Sequence, residues 1–311
     1  MGYFKHATAI VETDIVGDDT RIWAFTHVLA GAKIGRECNI CDHVFIENDV
    51  TIGDRVTIKC GVQIWDGITI EDRVFVGPNA TFTNDPLPRS KRNLQSVPRT
   101  IIKRGASVGA NATILPGLTI GEDAVIGAGA VLTHDAPARA VLFGNPARIT
   151  GYSGVKAQPA VPLAASLDEA TPDVRVRGVS LVRMPLIEDT RGMLSAAEIR
   201  KHVPFDVKRF FLVYSVPTEH VRGEHAHRTL HQFLVCVNGR CHLMVDDGDE
   251  RQEFMLNSPA LGVYLQPMVW SVQYKYSSDA VLLVLASDYY DASDYIRDYS
   301  EFVRTIREPI R

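Results

Sequence analysis

Ile34-Gly35-Arg36-Glu37-Cys38-Asn39-Ile40-Cys41-Asp42-His43-Val44-Phe45-Ile46-Glu47-Asn48-Asp49-Val50-Thr51-Ile52 carries an isoleucine at every sixth position. Outward from this stretch the beat runs back through Val28, Ile22 and Val16 to Ile10, and forward through Ile58, Ile64, Ile70 and Val76 to Phe82. It stops there and resumes at Ile102, Val108, Ile114, Ile120, Ile126 and Leu132. A helix repeats at about 3.6 residues and a half-buried strand at two, so a period of six fits neither. It marks a parallel β-helix: each hexapeptide forms one flat side of a triangular prism, and eighteen residues complete a coil. Glycine follows the aliphatic at Gly17, Gly35 and Gly53, one coil apart, and again at Gly109 and Gly127. That spacing predicts corners that need a permissive backbone. Four residues after the aliphatic come Thr20, Ala32, Val44, Val56, Ala80, Ala112 and Ala130, as a prism with room for one large and one small side chain per side requires.

The hexapeptide pattern resembles the left-handed β-helix acyltransferases, and the left hand of the coil is implied by that resemblance alone. At 311 residues of ordinary composition the chain is long enough for two domains with separate cores. The repeat fades after Leu132, and residues 152–174 lose all period while gathering proline, alanine and serine. The expected organisation is a β-helix over 1–151, a connection over 152–174 and a second domain over 175–311.

A net charge of −4 without a basic stripe excludes nucleic acid as the main partner but leaves room for small anions held by a few arginines. No apolar run is long enough to cross a bilayer and the N-terminus lacks signal-peptide order, so a cytoplasmic enzyme is expected. The five cysteines, Cys38, Cys41, Cys60, Cys236 and Cys241, form no disulfide framework. Cys38 occupies a small-residue slot of the repeat and reads as a buried thiol.

Phe82 and Ile102 lie twenty positions apart, three hexapeptides plus two, so the intervening segment must leave the prism as a loop. It is polar, basic and proline-stiffened: Thr83-Asn84-Asp85-Pro86-Leu87-Pro88-Arg89-Ser90-Lys91-Arg92-Asn93. Loops on rigid scaffolds often carry function. Phe-Thr-Asn-Asp followed by Pro and Arg after a hexapeptide run resembles the nucleotide-sugar N-acetyltransferases, as does the closing segment Ala140-Val-Leu-Phe-Gly-Asn-Pro-Ala-Arg148. The resemblance implies a trimer with acetyl-CoA along the groove between neighbouring prisms, Asn84 and Asp85 orienting the acceptor amine, and Arg89 among the substrate-binding residues. Acetyl transfer needs a proton taken from the amine and an oxyanion held by hydrogen-bond donors. His134, beside Asp135, is the first candidate for the base, with His27 and His43 also in the repeat, and the coenzyme sulfur is the alternative acceptor. The scattered His6, His27, His43 and His134 do not resemble the three-histidine zinc site of a β-helix carbonic anhydrase.

From residue 175 the pattern changes to short strands with turn signals, as in a β-sandwich or small barrel. Val207–Val216 and Phe233–Val245 read as strands, the second broken by Asn238-Gly239, and Asp246-Asp247-Gly248 marks another turn. Asp291–Ile306 reads as an amphipathic helix capped by Asp291 or Ser293, with Tyr295, Tyr299 and Phe302 toward the core.

Arg222-Gly223-Glu224-His225-Ala226-His227 places two imidazoles two residues apart, hence on one face of a strand. It resembles the opening of the cupin metal motif. The glutamate of that motif is replaced by His231 or Gln232, and no histidine occurs near Pro267-Met268-Val269-Trp270, so no metal is expected. Arg191-Gly192-Met193-Leu194, Arg209-Phe210-Phe211, the histidine motif, Asp246-Asp247-Gly248, Val284-Leu285-Ala286-Ser287 and Tyr290–Tyr299, in this order, resemble the dTDP-4-keto-6-deoxyhexose 3,4-ketoisomerases. The resemblance implies a metal-free cupin with a C-terminal helix, in which His225 removes the C3 proton and His227 is partner or alternative. It also implies Tyr214 shuttling a proton between two oxygens, and Arg191 and Arg209 holding the diphosphate.

Together the halves imply a bifunctional enzyme of dTDP-3-acetamido-3,6-dideoxyhexose synthesis, feeding bacterial surface polysaccharide and needing a separate aminotransferase. The alternative is an acetyltransferase joined to a non-catalytic sugar-nucleotide-binding cupin.

Overall fold

The computed structural model describes residues 2–92, 94, 96–155, 173–217 and 220–307. The chain divides between Ser153 and Gly154 into two compact units. Most of the expected connection, residues 156–172, lies outside the described residues.

The N-terminal unit is a parallel β-helix. Its strands are mostly two residues long, and each pairs in parallel with the strand one coil on: Ile40 lies opposite Ile58, Ile46 opposite Ile64, and Ile52 opposite Ile70. Three sheets of nine, seven and five strands form the sides of the prism, and the longest ends in an antiparallel strand, Arg148–Tyr152, beside Ala140–Phe143. The sixth-position aliphatics from Ile22 to Leu132 are at most 3% exposed. Burying a side chain of this size contributes about 1.5–3 kcal/mol. The exposed Arg36–Asp54 and Arg55–Glu37 pairs that link successive coils add little by comparison.

The polar loop leaves this stack without disturbing it. Ile70 pairs with Ile102 and Val76 with Val108, an offset of thirty-two positions in place of eighteen, so fourteen residues are expelled between two sides of one coil. The register on both flanks is unbroken.

The glycines of the repeat serve a different purpose from the expected one. Gly17, Gly35, Gly53, Gly109 and Gly127 are not in the left-handed region. The left-handed corner residues fall two positions later, at Asp19, Glu37 and Arg55, with φ of 62°, 56° and 59°. Glycine is required because the next coil leaves no space: a Cβ on Gly35 would lie 2.5 Å from the Gly53 carbonyl oxygen, and one on Gly17 would lie 2.4 Å from the Arg36 nitrogen.

The C-terminal unit packs two five-stranded antiparallel sheets face to face. One runs Val179–Arg183, Leu261–Leu265, Gln232–Asn238, Val281–Ala286, Arg209–Tyr214. The other runs Arg251–Leu256, Cys241–Asp246, Trp270–Tyr274, Arg222–His227, Tyr295–Ile296. Leu234, Leu243, Val245, Val263 and Leu282 meet between them. A separate hairpin joins Leu186–Asp189 to Gly192–Ser195.

Two local expectations are corrected. Asn238-Gly239 does not close a hairpin: the strand before it belongs to the first sheet and the strand after it to the second, so the turn carries the chain across the sandwich. The span Asp291–Ile306 is not one helix. Asp291 caps a 3-10 turn, Ala292–Asp294, by accepting from the Ser293 N–H at 2.8 Å. Tyr295–Ile296 is then a short strand paired with His227 and Ala226, and the α-helix runs Tyr299–Arg307. Once the chain has paired with an open sheet edge, the tertiary hydrogen bonds outweigh a helical periodicity worth only tenths of a kcal/mol per residue. The Tyr299 hydroxyl donates to Asp246 at 2.7 Å and fastens the helix to the sheet. No helix among the described residues is long and apolar enough to cross a membrane.

The crowding at Gly35 sets an expected outcome. G35A forces the neighbouring coil to shift and lowers stability by about 1–3 kcal/mol. G151A, where no atom lies within 4 Å of the new Cβ, leaves the melting temperature nearly unchanged. Differential scanning calorimetry of the two variants reads the contrast.

Candidate active sites

In the C-terminal unit the two histidines come from the strand Arg222–His227, which is bulged. Its register against Trp270–Tyr274 slips between Gly223 and His225, and Glu224 takes up the extra residue at φ 53°. Gly223 sits at φ 85° where a Cβ would meet the Ser271 carbonyl at 2.6 Å, so this position needs glycine on both counts. Bulges of this kind re-aim side chains beside active sites. Here the His225 and His227 rings stand edge to face with centroids 4.8 Å apart, as their spacing predicts.

The nitrogens of the two rings are used differently. His225 Nδ1 is 2.7 Å from the Gly223 carbonyl, an acceptor, so Nδ1 carries the proton and Nε2 keeps a lone pair. His227 Nδ1 is 2.8 Å from Asp294 Oδ2, and its Nε2 is 3.1 Å from the Gln232 side-chain nitrogen. Both of its nitrogens are thus occupied, and His227 is only 5% exposed. The Tyr295 ring closes the group, 4.8 Å from His225 and 4.3 Å from His227 between centroids. Arg297 lies over the Tyr295 ring at 4.4 Å.

Burial pushes the His225 pKa down to about 4, and the nearby Arg297 and His227 act in the same direction. Burial also lowers His227, against the opposing pull of Asp294. Both rings are neutral near pH 7. His225 Nε2 is therefore an unprotonated and weakly basic nitrogen near pH 7.

A cleft of about 390 Å³ opens over His225, lined also by Phe211, Tyr214, Arg222, Gln232 and Gln273. Tyr214 stands at its mouth, 63% exposed. Arg209 lies over the rings of Phe211 and Tyr290 at 5.5 and 5.6 Å, with its Nε buried and without a hydrogen-bond partner. Arg191 is elsewhere: it sits at the tip of the hairpin, 2.6 Å from Asp189, and does not line the cleft. Among the described residues no group of three or more histidine, cysteine, aspartate or glutamate side chains is placed to hold a metal ion.

Sequence reasoning missed Asp294, Tyr295 and Arg297, because the stretch containing them was read as helix. It named Gln232 only as a replacement for the metal-motif glutamate and passed over Ser271 and Gln273; all three are buried polar side chains on interior strands. A glutamine in the apolar run that follows Leu230 was the available signal for the first of these.

In the N-terminal unit the loop and the candidate base share one corner of the prism. Phe82 pairs with Ile114 and Ile114 with Leu132, so Asn84 and His134 follow strands two coils apart, roughly 10 Å at the usual strand spacing. Asn84 and Asp85 are half-buried at the root of the loop, and Asp85 accepts from the Leu87 N–H at 2.8 Å. His134 is exposed, with Nδ1 3.0 Å from the Thr133 hydroxyl. Asp135 turns away to accept from the Thr119 N–H at 2.7 Å. Arg89 is exposed farther out, bonded to the Pro88 carbonyl. The other repeat histidines have local partners: His27 contacts Glu12 at 3.0 Å, and His43 stacks on Phe25 at 5.0 Å.

Comparison with known proteins divides along the same line. Residues 177–307 match the family described as WxcM-like, C-terminal, and residues 15–48, 49–84 and 99–134 match bacterial transferase hexapeptide repeats. A TDP-4-oxo-6-deoxy-alpha-D-glucose-3,4-oxoisomerase of Aneurinibacillus thermoaerophilus is 47% identical over 126 residues, 40% of this chain and 91% of that protein. A dTDP-3-amino-3,6-dideoxy-alpha-D-galactopyranose 3-N-acetyltransferase of the same organism is 60% identical over 149 residues, 48% of this chain and 78% of that protein. Among solved structures, a sugar 3,4-ketoisomerase from Thermoanaerobacterium thermosaccharolyticum in complex with TDP is 37% identical, with a TM-score of 0.41, covering 42% of this chain and 96% of that one. The chain is a two-enzyme fusion, belonging through its β-helix to the hexapeptide-repeat sugar-nucleotide N-acetyltransferases and through its second unit to the WxcM-like sugar-nucleotide 3,4-ketoisomerases.

Proposed function

We propose that the C-terminal unit converts dTDP-4-keto-6-deoxyglucose to its 3-keto isomer and that the β-helix acetylates the 3-amino sugar made from that ketone by a separate aminotransferase. The observation that carries the isomerase reading is His225: its Nδ1 is committed to the Gly223 carbonyl, and the ring faces the cleft. The C4 ketone acidifies the C3 proton. His225 Nε2 takes that proton, leaving an enediolate whose charge spreads onto the C4 oxygen. Return of that proton from His225 to C4, with transfer of the hydroxyl proton from the C3 oxygen to the C4 oxygen, completes the shift with no change in overall redox state. Tyr214, at the cleft mouth, is suited to carry a proton between the two oxygens. The field of Arg209 and Arg297, both close enough to depress His227, favours the anionic intermediate.

In the β-helix, acetyl-CoA supplies the acyl group, binding in grooves between prisms of a homotrimer. Asn84 and Asp85 orient the amine, Arg89 contacts the nucleotide, and His134 accepts the proton. The relative with 60% identity acts on a galacto-configured amino sugar, which supports an axial C4 hydroxyl in this chain's product.

The isomerase reading is tested by incubation with dTDP-4-keto-6-deoxyglucose in deuterated water, following label by NMR. Wild-type protein exchanges the C3 proton and yields the 3-keto sugar. H225N loses exchange by about 10²–10⁴-fold while keeping acetyl transfer to dTDP-3-amino-3,6-dideoxygalactose. Full exchange in H225N is incompatible with this role.

The pH dependence has a definite sign. His225 titrates near 4 in the folded protein, so kcat/KM for isomerisation is level from pH 8 to 6 and is lost only as pH falls toward about 4. A limb centred at the ordinary histidine value of about 6.5 is the contrary result.

For acetyl transfer, H134N lowers kcat by at least about tenfold if His134 is the base. An unchanged kcat assigns the proton to the coenzyme sulfur.

A further inference from the structure

A polar chain that proton abstraction by His225 does not use ends at the cleft, where its last member, Gln232, is part of the lining. Asp294 is a pure acceptor: burial favours its neutral form, but hydrogen bonds from Thr229 and His227 outweigh that and hold the carboxyl below its ordinary range. The Thr229 N–H and hydroxyl reach Asp294 Oδ1 at 2.7 and 2.8 Å, leaving Oδ2 for His227 Nδ1. His227 must therefore place its one proton on Nδ1, and its Nε2 is a bare lone pair. The Gln232 amide beside it can meet that lone pair only with its NH₂ end. Rotated the other way, the amide would set its oxygen against a second acceptor. The Asp294–His227 hydrogen bond thus dictates, through the next one, which end of Gln232 is turned from His227.

That end is the carbonyl oxygen. Gln232 is 6% exposed, lines the cleft together with His225, and among the described residues no group donates to its Oε1. An amide oxygen that reaches the cleft with no protein donor is left for water or a ligand, and a ligand that fills the cleft must supply the donor that water would give.

We propose that Gln232 contacts the substrate, its oxygen accepting a hydrogen bond from the hydroxyl beside the ketone, and that Asp294 is a positioning residue that fixes the amide through His227. This rests on the ketoisomerase reading for the identity of the sugar. In D294N the new side chain can donate to His227 Nδ1, which moves the ring proton to Nε2. Gln232 then turns its oxygen to His227 and its NH₂ into the cleft, and the hydroxyl loses its acceptor.

The test measures binding, so that it reports whether or not turnover occurs. Calorimetry in an H225N background compares dTDP-4-keto-6-deoxyglucose, its 3-deoxy analogue and dTDP. With Gln232 and Asp294 intact, the 3-hydroxyl tightens binding by about 5- to 10-fold, the value of one net hydrogen bond. In D294N, and separately in Q232M, that ratio falls to within about twofold while the dTDP affinity stays the same. The dTDP measurement shows that the fold is intact, and the effect of D294N with Gln232 still present separates positioning from bulk. A ratio near one in the parent, or a ratio that survives in either variant, overturns the proposal. Failure of wild-type protein to exchange the C3 proton would instead overturn the isomerase reading and leave the binding ratio to be judged by itself.

Discussion

Successive coils of the β-helix approach so closely that a single methylene cannot be added at Gly17, Gly35 or Gly53. This contact is what makes the prism a rigid scaffold, since every coil is seated on the backbone of the next and carries its own buried isoleucines. It also explains how the polar loop is accommodated. A stack with no slack cannot absorb fourteen extra residues, so they are expelled at one corner and the register continues beyond them. The expelled segment begins with Asn84 and Asp85, and that corner also carries His134. Rigidity thus brings together groups fifty residues apart in sequence.

The second unit builds its site by a different device. A bulge at Glu224 turns two histidines of one strand into a single cluster, and a two-residue strand, Tyr295–Ile296, pairs across them. That pairing delivers Asp294 to His227 and lays the Tyr295 ring against both imidazoles. The two histidines, nearly equivalent in sequence, become chemically distinct. One is saturated by Asp294 and Gln232, and the other retains a lone pair over the cleft. Burial keeps both neutral near pH 7.

The two units supply chemically consecutive operations with a gap between them. The isomerase relative moves a carbonyl between C4 and C3, and the acetyltransferase relative acts on a sugar with its amine at C3. Fusion in one chain gives equal amounts of the two enzymes.

The repeat was legible because the prism imposes it directly: a side of six residues admits one large inward side chain, so the period survives in the bare sequence. The histidine pair was legible for the same kind of reason, since alternation on a strand is local. The reason for the repeat glycines was not, because their crowding comes from a neighbour eighteen residues away. The crossing at Asn238-Gly239 was read as an ordinary turn, since a turn's residues report its bend and not the sheet that follows. Asp294 and Tyr295 were hidden for a deeper reason: Asp294 approaches His227 across 67 residues through a strand too short to leave a pattern, and its helical spacing pointed the wrong way. Sequence by itself determined the prism and a second all-β domain, and its motifs carried the resemblance that implied the kind of chemistry. Only the tertiary structure decided which nitrogen holds a proton, because that depends on partners assembled from three separate strands and loops.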